Sequence, residues 1–467
     1  MPKQNKQKKR FIYGYVFVAL VLSITIITYT NIYNSYLPSL TQSSKESRDL
    51  KIWWDKGFTL EEDKALQQIV SSWEQQSGNK IKILFYTNDE LSKKTQRAIQ
   101  AGNVPDIVVG YNAETELNPR LAWNGKLADV SDVIKPVKNF YPEIILEGVN
   151  FYNNVEKKRS YYAVPIHQAT MHVYYWRDLL KLAGHKESDI PKDWDGFWKF
   201  WQQMQQDLQQ QQKKQIYAFG FPYSDAASDT YYFFEQILEA YDIQILDSKG
   251  QLLIDAPKVR QGIVDSLKWY TKFYQQGYVP RDAVNWLNPD NNRNLLNRLT
   301  LMTPNTTLSI PIIVRQDIDT YFNKLGTLEL PNKPNGKPMR YLVILKEAVL
   351  FAESKNQKIA KEFLAYLIKP EVMENYLKAS GGRNFPVLKP LWKNSFWTNP
   401  ADPHISTVTK TLINGQTRLY YSTKNSAYTK VLAENVWGQA INKMVVDNIS
   451  AEQAGDEAIK RIKQLFE

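Results

Sequence analysis

Residues 11–30 (FIYGYVFVALVLSITIITYT) form an apolar run without a single charge. At about 1.5 Å per residue, a helix of that length spans roughly 30 Å, the thickness of a bilayer's hydrocarbon core. From residue 50 onward the pattern shortens and alternates. Leu50–Trp54 (LKIWW) reads as a strand, and Ala65, Leu66, Ile69, Val70 and Trp73 then recur at helical spacing. Ser77-Gly78-Asn79 stops that helix, and Ile81–Tyr86 (IKILFY) is a second strand. A helix over Asp89–Ala101 ends at Gly102-Asn103-Val104-Pro105, and Asp106–Gly110 (DIVVG) is a third strand. Strands and helices alternating at this distance predict right-handed crossovers, a largely parallel sheet and the α/β class. Ligands of such sheets sit beyond the carboxyl ends of the strands. That rule singles out Trp54, Asp55 and Lys56, then Tyr111, Asn112 and Glu114.

Helical spacing dominates Asp193–Phe273, and the next long strand-like run is Tyr341–Phe351. The glutamine-rich piece Gln202–Gln215 reads as the solvated face of a helix, and Pro331–Pro338 (PNKPNGKP) as a surface loop. No repeat suggests a solenoid.

Charge changes the reading of the N-terminus. The 467-residue chain carries a formal net charge of +11, but residues 1–10 (MPKQNKQKKR) hold five basic residues and no acid. This cluster, followed by an uncharged helix, predicts a cytoplasmic basic tail (1–10), a membrane-spanning segment (11–30), a polar spacer (31–48) and an extracytoplasmic body. A cleaved signal peptide is the competing reading, but the apolar core is long for one and no Ala-x-Ala site follows it. The basic tail is then a topology signal in contact with anionic lipid, and nucleic acid is not an expected partner.

The absence of cysteine excludes disulfides, thiolate metal sites, a cysteine nucleophile and a lipid attached to an N-terminal cysteine. His167 and His172 lack a third ligand at metal spacing, so no metal site is expected. There is no G-x-S-x-G, H-E-x-x-H, Walker loop or G-x-G-x-x-G, which argues against an enzyme and against a cofactor. Paired glycosidase carboxylates cannot be placed across a cleft from sequence. The 60 aromatic residues (13 Trp, 28 Tyr, 19 Phe) are the strongest compositional pointer to a ligand.

Several segments resemble one family. Ala101-Gly102-Asn103-Val104-Pro105-Asp106-Ile107-Val108 is similar to the A-x-G-x-x-P-D-[IV] stretch of the family 1 extracellular solute-binding proteins, the maltose-binding-like receptors of ABC importers. Tyr162-Ala163-Val164-Pro165, Tyr174–Leu180 with Ala183-Gly184, Pro191–Phe197, Ala360–Leu367 with Pro370-Glu371, and Gly381–Val387 resemble further family motifs in the family's order. Trp176-Arg177 stands where the family usually has Asn-Lys, and Arg298–Met302 lacks a usual glycine. The resemblance covers residues 50–467.

It implies a two-lobed periplasmic-binding-protein fold of type II, closing on a ligand by hinge motion. Lobe 1 would comprise 49–168 plus 341–384, and lobe 2 residues 169–340 plus 385–467. The implied function is an extracytoplasmic, anchored, monomeric receptor that presents a carbohydrate or polyol-like solute to an ABC permease. A sensor subunit signalling to a membrane kinase or chemoreceptor, an anchored glycosidase, or a ferric-ion receptor using one of the adjacent tyrosine pairs are the alternatives.

Sugars are held by aromatic rings against their C–H faces and by planar polar groups on their hydroxyls. Trp54, Asp55 and Lys56 supply that combination, or else Trp54 is core and Asp55 a helix cap. Trp286 and Asp290, in a Trp-Leu-Asn-Pro-Asp-Asn-Asn segment, are cleft candidates or part of a solvated turn. Asn305 matches a family ligand contact. Gln168, Arg383 and Asn384 lie at expected lobe crossings, where Arg383 is a bidentate ligand donor or a strut between lobes. Trp437 matches a family stacking residue or is core, and Asp106 is expected to bond backbone at its strand.

Overall fold

The computed structural model describes residues 49–111, 115–212 and 215–467. The expected tail, membrane segment and spacer lie outside these, as does Asn112. Among the described residues no helix is long and apolar enough to cross a membrane.

The predicted strand–helix alternation is present: β1 (Leu50–Asp55), a helix Leu60–Ser77, β2 (Ile81–Tyr86), a helix Asn88–Gln100 and β3 (Ile107–Gly110). The first helix stops where Gly78 turns into the left-handed region at φ 71° and its N–H bonds the Glu74 carbonyl. The second begins at a Thr87/Glu90 capping box. Asp106 accepts the Lys51 N–H at 2.7 Å, tying β3 to β1.

The remaining strands are β4 (Asn150–Asn153), β5 (Lys158–Tyr161), β6 (Val164–Thr170), β7 (His172–Trp176), β8 (Tyr217–Phe219), β9 (Thr300–Asn305), β10 (Leu325–Leu328), β11 (Arg340–Leu350), β12 (Phe385–Pro386) and β13 (Gln416–Leu419). The larger sheet runs β12-β6-β11-β3-β1-β2, with β13 also on β11. It is mixed rather than largely parallel. β1 pairs in parallel with β2 and β3, but β11 returns from a distant part of the chain and lies antiparallel to β3 and β6. Only the β1–β3 segment is built from consecutive crossovers, so only there does alternation dictate strand direction. A second sheet, β10-β7-β9-β8, includes one parallel pair, β8 with β9. The fold is thus a two-lobed α/β architecture, with β6 in one sheet and β7 in the other and only Met171 between them.

One core packs under the second sheet. There the helix Trp194–Gln212 buries Trp194, Phe197, Trp198, Trp201, Met204 and Leu208, while most of its glutamines face water. Gln205 turns inward, donating to the Gly277 carbonyl and accepting the Ala218 N–H. The rings of Trp194, Trp198 and Trp269 stand 5.0–5.4 Å apart in this core. The other main core lies on the larger sheet, around Trp54, Ile107, Val343, Phe363 and Trp397.

Candidate functional site

The carboxyl ends of β1, β2 and β3 open into a cleft of about 470 Å³, lined there by Asp55 to Phe58, by Thr87 and Asn88, and by Tyr111. Three further chain segments form the opposite wall. The start of the helix Ser228–Ala240 gives Ser228, Asp229 and Tyr232; the helix Asn288–Leu296 gives Asn288 and Asn292; the end of β9 gives Asn305 to Thr307. Both walls therefore place strand ends and helix N-termini, with their polar side chains and free backbone groups, around one space.

The loop after β1 is shaped by the helix that follows it. Glu62 and Asp63 in that helix's first turn accept the Phe58 and Gly57 N–H groups at 3.1 and 2.7 Å. The helix starts after Thr59 without a side-chain cap, and the Asp55 carboxylate, the alternative cap, pairs instead with Lys346, which is fully buried in β11. A register shift between Lys346 and Glu347 interrupts the β11–β6 ladder there. Lys346 pairs with Asp55, while the Glu347 carboxyl accepts only the Asn118 amide, and burial pushes it up to about 8.

Arg383 closes the network under the cleft. Its guanidinium forks onto Glu62 at 2.8 and 3.3 Å and lies 5.7 Å from the centre of the exposed Phe58 ring. Burial opposes ionisation of Glu62, but the Arg383 and Lys346 charges draw its carboxyl below the usual value. Burial pushes Asp55 up, and Lys346 and Arg383 partly counter that. His167, buried beside both cations, is held well below its ordinary value and faces the Tyr111 hydroxyl at 2.9 Å. Two carboxylates and two cations thus form a balanced floor.

Of the residues singled out from sequence, Asp55, Lys56, Tyr111, Asn305 and Arg383 line the cleft. The other described ones are elsewhere. Trp54 packs edge-on against Tyr376 in the core, and Gln168 donates to the Pro386 carbonyl, fastening β12 to β6. Trp286 is core, while Asp290 accepts the Leu287 N–H and pairs with Arg293, serving the start of its helix. Asn384 is buried and accepts from the Tyr111 hydroxyl. Trp437 is 0% exposed, its indole N–H directed to Glu235 and Tyr428, so it presents no face to the cleft. For all three tryptophans the gain from removing a large ring from water prevails over exposure at a binding surface.

Sequence reasoning missed Phe58, Thr87, Asn88, Asp229 and Tyr232, whereas Asn288 and Asn292 lie in the segment it singled out around Trp286 and Asp290. Thr87 and Asn88 follow β2 as Lys56 follows β1, so the strand-end rule applied to the second strand finds them. Asp229 and Asn288 meet through the Asp229 N–H and the Asn288 side chain at 3.1 Å, a pairing across 59 residues without local signal.

The adjacent tyrosines differ from pair to pair: the Tyr231 and Tyr232 hydroxyls both reach Thr115 Oγ1 at 3.4 Å. Tyr174 and Tyr175 point into different cores from opposite faces of β7, and burial keeps the Tyr231 phenol far above its usual value. Among the described residues there is no cluster of three His, Cys, Asp or Glu side chains able to hold a metal.

Residues 68–405 match the family described as bacterial extracellular solute-binding protein. The chain is 22% identical over 362 residues to the multiple sugar-binding protein of Streptococcus mutans, covering 72% of this chain and 77% of that one. It shares its fold with an ABC transporter solute-binding protein of Thermotoga lettingae bound with α-D-tagatose (TM-score 0.73, 17% identity, covering 90% of this chain and all of that one). The maltose-bound MalE3 of T. maritima is comparable, with a TM-score of 0.71 at 19% identity, covering 89% of this chain and 99% of that one. UgpB of Mycobacterium tuberculosis, in complex with glycerophosphocholine, aligns at a TM-score of 0.68 and 16% identity, over 90% of this chain and 98% of that one. With more than half of its length matched, the chain belongs to the bacterial extracellular solute-binding proteins.

Proposed function

We propose that this chain is the receptor of an ABC importer and binds a carbohydrate or polyol-like solute in the cleft beyond β1–β3. The observation that carries the reading is the composition of that cleft. Phe58, 40% exposed, together with Tyr111 and Tyr232, offers rings, while Asn288, Asn305, Thr306, Thr307, Ser228 and Asp229 offer amides, hydroxyls and a carboxylate. Such a lining satisfies a ligand with many hydroxyls and an apolar C–H face. About 470 Å³ suits a small molecule, within the ~300–1,000 Å³ usual for such sites. The charges below are mutually paired, so the floor positions side chains without demanding a charged ligand. The sugar-binding name of the Streptococcus mutans relative agrees with this.

The two lobes, 49–168 plus 341–384 and 169–340 plus 385–467, would close over the solute, expel water and present the closed form, as a monomer, to a permease. No covalent chemistry is involved. Residues 11–30 would hold the body at the outer face of the cytoplasmic membrane. Calorimetric titration of the full chain with a panel of mono- and oligosaccharides and polyols tests the substrate class. Binding of at least one, weakened in Phe58→Ala, is expected; silence across the panel overturns it.

A further inference from the structure

A second and larger cavity, about 1250 Å³, shares no lining residue with the solute cleft. The two lie along one strand: Arg340 opens β11 in the larger cavity, and Ile344 further along β11 faces the solute cleft. One wall is the helix Glu143–Gly148 with the β4–β5 hairpin; the other is the loop Gln244–Lys249 with Tyr421–Lys424; β13 supplies the floor.

Seven cationic side chains line this cavity against three carboxylates. The floor cations are met from behind by Glu239, by Glu235 near Arg418 and by Asp242 on Lys333, so the surplus is carried at the rim. Glu239, buried beneath it, is shared by three cations: Lys333 at 2.7 Å, Arg340 at 2.8 and 2.9 Å, and Arg418 at 2.6 Å. Arg418 spends its Nε on Glu239 and Nη1 on the Leu419 carbonyl, while the buried Nη2 has no acceptor. An unpaired guanidinium N–H is costly to bury, so an acceptor from outside is favoured there. Lys138, Lys389 and Lys424 are exposed at the rim and enter no ion pair among the described residues. Burial first, then the neighbouring Arg418 and Arg340 charges, lower the Lys424 ammonium's pKa, against the Asp247 and Glu147 carboxylates, which raise it. Of the carboxylates, Asp247 is occupied by the Lys249 and Gln251 N–H groups of its own turn.

We propose that this cavity is a second binding site, for a compound carrying closely spaced phosphate groups, with Arg418 and Arg340 at its floor and Lys138, Lys389 and Lys424 at its rim. Guanidinium forks and mobile ammonium groups converging on one space suit several phosphate oxygens at once. That chemistry is found both in soluble phosphate compounds and in lipid headgroups. Because the walls come from separate parts of the chain joined along β11, occupancy would draw them together.

The test is calorimetric titration of the full chain in nonionic detergent with sodium tripolyphosphate, beside the triple variant Lys138→Gln/Lys389→Gln/Lys424→Gln. The three lysines are exposed, so the variant keeps its circular dichroism spectrum. One tripolyphosphate per chain is expected, bound less tightly as salt rises and at least ~10-fold more weakly by the triple variant. No binding, or binding the variant leaves unchanged (which would place the anion on the basic N-terminal residues), overturns the proposal. Cardiolipin, which carries two phosphates, added as mixed micelles in the same detergent, assigns the site to a headgroup if it displaces tripolyphosphate; failure to displace assigns it to a soluble phosphate compound.

Discussion

Two regions of this chain bury ion pairs, and they balance them differently. Under the solute cleft, Asp55 and Glu62 face Lys346 and Arg383, two charges of each sign. Beneath the larger cavity, Glu239 is shared by Lys333, Arg340 and Arg418, with Asp242 also on Lys333 and the buried Glu235 near Arg418. The first arrangement fixes side chains and leaves little net field where a solute would sit. The second holds its groups in place equally well, while Lys138, Lys389 and Lys424 above it, outside any ion pair among the described residues, project positive charge into an open space. Burying an ion pair therefore says little about ligand charge until the whole cluster is counted.

The sharpest way to break the comparison is Glu239→Gln. It removes the carboxylate of Arg340 and the hydrogen-bonded one of Arg418, while Lys333 keeps Asp242, and a loss of ~3 kcal/mol in urea unfolding is expected. Lys346→Met at the balanced site should cost roughly 3 kcal/mol near neutral pH, since it leaves Asp55 buried without its cation. That loss should shrink on acidification. Asp55 without Lys346 is raised further above its unfolded value of 3.8, so the folded state takes up the proton first and stability recovers as pH falls through the folded pKa. Unfolding curves at two pH values check this.

Glu239 in the unmodified chain behaves oppositely. Burial opposes its ionisation, but Arg340, Arg418 and Lys333 lower its carboxyl from 4.5 to about 2. Its contribution, on the order of 3 kcal/mol, is present above the unfolded value of 4.5 and lost as pH falls from there toward about 2. An acid titration of stability in Glu239→Gln should lack that component. Phe58→Ala, above the balanced floor, should reduce solute affinity by ~1 kcal/mol, about fivefold, with stability nearly unchanged. The smallest effect belongs to Lys389→Gln: within ~0.5 kcal/mol in stability, because the residue is exposed and unpaired.

How much of this could be read from residues alone follows the range of the interactions involved. The β1–β3 segment was legible because its strands, helices and stops are local, and the same rule led to Asp55, Lys56 and Tyr111. The direction of β11 was not, since its antiparallel pairing depends on neighbours up to about 240 residues away in sequence. Adjacent residues on a strand face opposite sides, and nothing local decides which of Trp53 and Trp54 turns inward. Trp54 does, while Trp53 stays half-buried against Tyr86. Arg383 and Asn384 divide similarly: one lines the cleft and the other is buried behind it. Composition overvalued tryptophan as a ligand residue because an indole's area favours the core before it favours a surface. The cavity around Arg418 was invisible beforehand, as its cations come from six separate stretches of chain.

The Trp194, Trp198 and Trp269 trio has an optical consequence. Indoles held 5.0–5.4 Å apart at fixed angles couple their transitions, so this cluster should imprint a paired band on the ultraviolet circular dichroism spectrum. None of the three lines either cavity. The band is therefore a built-in gauge of whether the second sheet's core is intact, and it should stay silent while either site fills.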